Sequence, residues 1–177
     1  MFHSHTPLID SYIKTELQFI MSGYMTSNCL FGSKHFLAIS GDNRLRLWDI
    51  VNNKEKRCFV EKQHLSHSYT CFTWGQDIAT NGMSDLGMCA VGTSDGVIII
   101  WDLTRGIVAK TIGTPGSGAA PTDIKFSSDL KTIFACSTDN NMHEYSVATG
   151  ESMQVIKGFK RGTLRVAVNQ KVLAAAR

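Results

Sequence analysis

Two short stretches decide the reading of this chain: RLRLWDI at residues 44–50 and VIIIWDL at 97–103. Each is dominated by aliphatic residues and closes on a Trp-Asp pair, Trp48-Asp49 and Trp101-Asp102. Runs this short, rich in Ile, Val and Trp, have the composition of buried strands. Each follows a turn, SGDNR at 40–44 and TSDGV at 93–97. Asp, Asn and Gly suit such turns because they tolerate positive φ and because Asp bonds the local backbone. A third copy is weaker. STDNN at 137–141 leads into MHEYSVA at 142–148, where Tyr145-Ser146 stands in place of Trp-Asp.

The three copies recur at comparable intervals. The turn residues Asp42, Asp95 and Asp139 lie 53 and 44 residues apart, and so do Trp48, Trp101 and Tyr145. Around each copy, four strand-like runs can be marked. The first set is 25–32, 35–41, 44–50 and 56–62. The second is 69–75, 86–93, 97–103 and 107–113. The third is 121–127, 132–138, 142–148 and 152–158. A four-strand repeat of about 40–45 residues with this signature is the pattern of WD40 β-propeller blades. The longer first interval accommodates an insertion, the polar GQDIATNGMSD at 75–85, expected as a long exposed loop. A fourth repeat starts with GTLRVAVNQ and KVLAAAR and reaches Arg177 without a turn Asp or a Trp-Asp.

The expected fold is therefore all-β: a partial WD40 propeller of about three and a half blades of four-stranded antiparallel sheets. Expected blades span about 24–62, 69–114 and 120–160, with an incomplete one at 163–177. Closed propellers have about four to eight blades, so the chain is expected to be a fragment of a longer protein. Pairing with another chain and a small open solenoid are the alternatives. Residues 1–23 form a lead-in. Ile9, Ile13, Leu17 and Ile20 fall at helical spacing between Pro7 and Gly23, which fits a short amphipathic helix or an irregular segment.

Composition narrows the function. The 177 residues are 43% hydrophobic and 19% charged, as in a globular protein, and a net charge of +3 does not by itself imply nucleic-acid binding. No apolar run approaches the roughly 18 residues of a membrane helix, and the N-terminus makes a poor secretory signal. The five cysteines form no CxxC and no Cys/His set with zinc spacing, which points to free, buried thiols in a reducing compartment. An intracellular protein follows, with no membrane partner.

No GxxxxGK[ST], GxSxG, HExxH or GxGxxG occurs. The Gly-rich TPGSGAAP at 114–121 lacks the Lys and helix of a phosphate loop and reads as a connection between blades. No catalytic residue, cofactor, metal or small-molecule substrate is expected.

The candidate residues are structural. Trp48, Trp101 and Tyr145 would fill the wedges between sheets. Asp42, Asp95 and Asp139 would accept hydrogen bonds from backbone amides and from Ser40, Ser94 or Ser137. Asp49 and Asp102 close the third strands. His64 is placed to join Asp95, with His67 as the alternative, and Trp74 is expected to pack. One stretch is a candidate RNA or partner contact. KGFKRGTLR at 157–165 carries Lys157, Lys160, Arg161 and Arg165 with Phe159 among them, a mixture that can hold a phosphate backbone and stack on a base.

The blade strings resemble one family more closely. FLAISGDNRLRLWDI with its following Asn52-Asn53, the HLS at 64–66, LGMCAVGTSDGVIIIWDLTRG, and the third blade DIKFSSDLKTIFACSTDNNMHEYSVATGE are similar to the WD repeat-containing protein 43 family, the counterpart of a yeast U3 small nucleolar RNA-associated protein. The resemblance covers about residues 28–177. It implies a nuclear, nucleolar protein that assembles the small-subunit processome on nascent pre-rRNA and supports rRNA processing and transcription. It also implies other processome propeller and helical proteins, and the pre-rRNA or U3 particle, as partners. The remaining blades and C-terminal helical domain of that family have no counterpart in these residues. A general WD40 peptide-binding adaptor, such as a ubiquitin-ligase receptor or trafficking subunit, is the rival expectation.

Overall fold

The computed structural model describes residues 24–29, 35–49, 51–62, 65–66, 68–75, 86–113, 116, 119–157, 159, 165–169 and 172–176. The expected N-terminal helix and most of the 75–85 loop lie outside these residues. Two compact units divide the chain, Met1–Cys58 and Phe59–Arg177.

In the first unit, β1 (Tyr24–Cys29), β2 (His35–Ser40), β3 (Leu45–Asp49) and β4 (Lys54–Phe59), whose last residue, Phe59, already belongs to the second unit, form one sheet in the order β1-β2-β3-β4. Leu37, Ile39, Leu45 and Leu47 are fully buried in it, whereas most of β4 is exposed. An apolar inner pair of strands and a charged outer strand, KEKRCF, set which side of the sheet meets water.

The second unit repeats the plan. β5 (Tyr69–Gly75), β6 (Met88–Thr93), β7 (Ile98–Asp102) and β8 (Ile107–Ile112) make a second sheet. β9 (Pro121–Phe126), β10 (Thr132–Ser137), β11 (Met142–Ser146) and β12 (Ser152–Ile156) make a third. β13 (Arg165–Asn169) and β14 (Val172–Ala176) pair as a two-stranded piece. All pairings in these sheets are antiparallel. The described residues are all strand, turn and connection. The fold is a partial WD40 propeller.

Alternation along the strands decides which side chains fill the space between the second and third sheets. Ala90, Ile98, Ile100 and Ile112 on one side meet Ile124, Phe126, Ile133 and Ala135 on the other in one buried cluster. Gly92 lets these sheets approach. A Cβ there would lie 2.8 Å from the Pro121 Cβ and 2.9 Å from the Cys71 Sγ. The third sheet buries its other face against β13, where Cys136, Met142 and Val166 form a second cluster.

Candidate functional site

The turns between second and third strands are built alike in all three sheets. The residue after each Asp is left-handed: Asn43 (φ 56°), Gly96 (φ 92°) and Asn140 (φ 62°). Its N–H donates back to the carbonyl of Ser40, Thr93 or Ser137, at 2.9, 3.2 and 3.0 Å. This is a three-residue hairpin loop ending in a left-handed residue, and it explains why Asn or Gly follows each turn Asp.

The three aspartates then differ in their partners. Asp42 accepts from the Ser40 hydroxyl and lies 3.1 Å from Arg44 Nε and 3.5 Å from Arg46. The hydroxyl bond and the two guanidinium groups hold its carboxyl below the usual range. Asp95 accepts from Thr93 Oγ1 at 2.5 Å. The expected Ser94 instead accepts the Ser68 N–H; strand alternation turns Thr93, one residue earlier, toward the carboxylate. Asp139 takes the Asn141 N–H at 3.0 Å, the Asn141 side-chain amide at 2.9 Å and His143 Nε2 at 2.9 Å. Burial raises its carboxyl, but the bonds from Asn141 and His143 prevail and the net shift is downward. His143 stacks on Tyr145, with centroids 6.0 Å apart, so the third sheet supplies from its own strand the imidazole that sequence assigned to a loop His64 in the second. His64 and His67 lie outside the described residues.

The second half of the signature has a local purpose. Asp49 accepts the N–H groups of Val51 and Asn52, each at 3.0 Å, and Asp102 accepts that of Arg105 at 2.8 Å. Each thereby closes the turn into the outer strand. In the third sheet the Ser146 hydroxyl takes over, accepting the Thr149 N–H at 3.3 Å. Trp101 is 3% exposed and meets Phe59 with centroids 5.9 Å apart. Tyr145 packs against the cluster shared by the second and third sheets. Trp74 is buried and donates its indole N–H to the Leu86 carbonyl at 2.7 Å.

The connections between sheets lie beside these hairpin turns. Gly116 N–H donates to the Asp95 carbonyl, and Ala120 and Thr138 exchange bonds. The basic segment begins at this end of the third sheet. Lys157 is exposed, Phe159 is half-buried against the Cys136–Met142–Val166 cluster, and Arg165 is exposed at the start of β13. The ring of Phe159 thus anchors the segment while the two cations face water. Lys160 and Arg161 lie outside the described residues. One neighbouring residue carries no local sequence signal. Asp123, 7% exposed, accepts the N–H of Val166 at 2.9 Å across 43 residues of chain, joining β9 to β13.

A general acid at neutral pH needs a raised carboxyl. The shifted carboxylates here, Asp42, Asp49, Asp129 and Asp139, all move down because turn groups donate to them. Burial pushes the Cys71 and Cys136 thiols up to about 11 and the Cys89 thiol higher still, the reverse of what a thiolate nucleophile requires. Among the described residues no cluster of three or more His, Cys, Asp or Glu could hold a metal ion, and no helix is long and apolar enough to cross a membrane. The arrangement presents fixed turns and side chains for contact.

Comparison with known proteins agrees with this architecture. The chain is 24% identical over 132 residues to human (Homo sapiens) WD repeat-containing protein 43, covering 65% of this chain and 19% of that protein. The chain is thus similar to WD repeat proteins. It is also 27% identical over 143 residues to WD repeat-containing protein 82 of Drosophila melanogaster, covering 80% of this chain and 43% of that protein. The chain spans less than half the length of either relative. No family model matches it.

Proposed function

We propose that this chain is part of a non-catalytic WD40 scaffold of ribosome biogenesis, one that assembles the small-subunit processome on nascent pre-rRNA and supports rRNA processing and transcription. WD40 likeness supports a scaffold or adaptor that binds proteins. The observation that carries the finer reading is the similarity to WD repeat-containing protein 43. The partners are other processome propeller and helical proteins, with pre-rRNA or the U3 particle meeting Lys157, Phe159, Lys160, Arg161 and Arg165. A backbone contact of this kind rests on cations and is salt-dependent. The site of action is the nucleolus.

The test is fluorescence microscopy of the tagged chain within its full-length protein, beside a variant with Lys157, Lys160, Arg161 and Arg165 changed to Glu. The reading expects nucleolar enrichment of the parent and reduced nucleolar retention of the variant. A parent spread evenly through the cytoplasm overturns it.

The second reading is a general peptide-binding adaptor, consistent with likeness to WD repeat proteins in general. Cytoplasmic residence with binding to a short peptide motif would select it.

A further inference from the structure

The fold places the cations and the aromatic ring of the basic segment differently. Lys157 follows the outer strand β12 and Arg165 opens the inner strand β13, and both are exposed. Neither has an ion-pair partner among the described residues. The outermost and innermost strands of a four-stranded sheet lie three spacings apart, about 14 Å. Cations set apart on that scale suit phosphates along a strand better than one small anion. Phe159 lies between them in sequence but does not share their exposure. It is half-buried, packed against the cluster of Cys136, Met142 and Val166. Val166 is itself held by its N–H to the Asp123 carboxylate at 2.9 Å.

A base-stacking platform needs an open aromatic face. Phe159 would offer one only by leaving the cluster it covers, which returns apolar surface to water. We propose that this contact reads the phosphodiester backbone of RNA alone: Lys157 and Arg165 meet phosphates, and Phe159 is a positioning residue that stacks on no base. The proposal rests on the RNA reading of this segment and narrows it. Phosphate contacts position a nucleic acid and carry no sequence information. The contact therefore takes any sequence, and it takes paired RNA, whose bases are hidden, as well as single strands.

Fluorescence anisotropy of the full-length protein that carries this chain tests it with three labelled probes. These are a short single-stranded RNA, the same strand paired with its complement, and an abasic strand of equal length. The parent is expected to bind the abasic strand within about threefold of the single-stranded RNA, where a lost stack would cost about fivefold or more. Lys157→Gln with Arg165→Gln is expected to weaken all three, and to lower the salt slope on the single strand by about 1.4, at roughly 0.7 for each phosphate contact. Phe159→Leu, which keeps an apolar anchor, is expected to change the three affinities by one common factor. Circular dichroism checks that each variant is folded. A loss that falls on base stacking, as a weakly bound abasic strand or as a Phe159→Leu effect confined to the single-stranded RNA, overturns the proposal. Probes held equally by the parent and the double variant overturn the RNA reading of the segment, and the proposal with it.

Discussion

Trp101 and Asp123 are the side chains on which single substitutions read most clearly. Trp101→Ala empties a buried site against Phe59 and is expected to cost about 3–5 kcal/mol. A circular-dichroism melt checks it, and an unchanged midpoint contradicts the packing. Asp123→Ala leaves the Val166 N–H without its acceptor and is expected to cost about 1–3 kcal/mol, with faster hydrogen exchange at that amide. Acid acts on the turns. Asp42, Asp49, Asp129 and Asp139 have folded pKa values below the ordinary 3.8. A lowered carboxyl stabilises the fold above its unfolded pKa, and that stability is lost as pH falls through the folded value. The melting midpoint is therefore expected to drop as pH falls below 3.8, while above neutrality these four groups contribute fully and add no pH dependence. The turn aspartates were readable because they recur at one offset from an aromatic residue. Asp123 was not, since its partner is distant in the chain and a lone acid in a strand has no local pattern. Spacing does not say which of two adjacent hydroxyls, Thr93 or Ser94, faces the Asp95 carboxylate.

Among the elements, the sheets depend on small residues as much as on large ones. Gly92→Ala adds a methyl within 2.9 Å of both Pro121 and Cys71. Overpacking of that kind is expected to cost about 1–3 kcal/mol, read as a lower urea midpoint; unchanged stability would mean that the second and third sheets can part without cost. Strand positions were readable from period and turn residues, as the match of 69–75 to Tyr69–Gly75 illustrates. The bulges at Trp101 and Tyr145 were not, because one extra residue in an outer strand leaves the hydrophobic pattern nearly unchanged. The exchange of Asp for Ser146 was readable, but not that the Ser146 hydroxyl closes the same turn.

For the whole molecule, propeller architecture was evident because a repeated sheet leaves the same mark several times. Function was less so. A contact surface needs no fixed spacing of reactive groups, so Lys157 and Arg165 stand out only as exposed cations beside the half-buried Phe159. The central claim is that this WD40 chain works within a pre-rRNA particle. Purification of the tagged full-length protein, followed by quantification of co-purified U3 RNA against a spliceosomal RNA control, addresses it most directly. The account predicts selective enrichment of U3. Recovery of U3 no higher than the control RNA would contradict it.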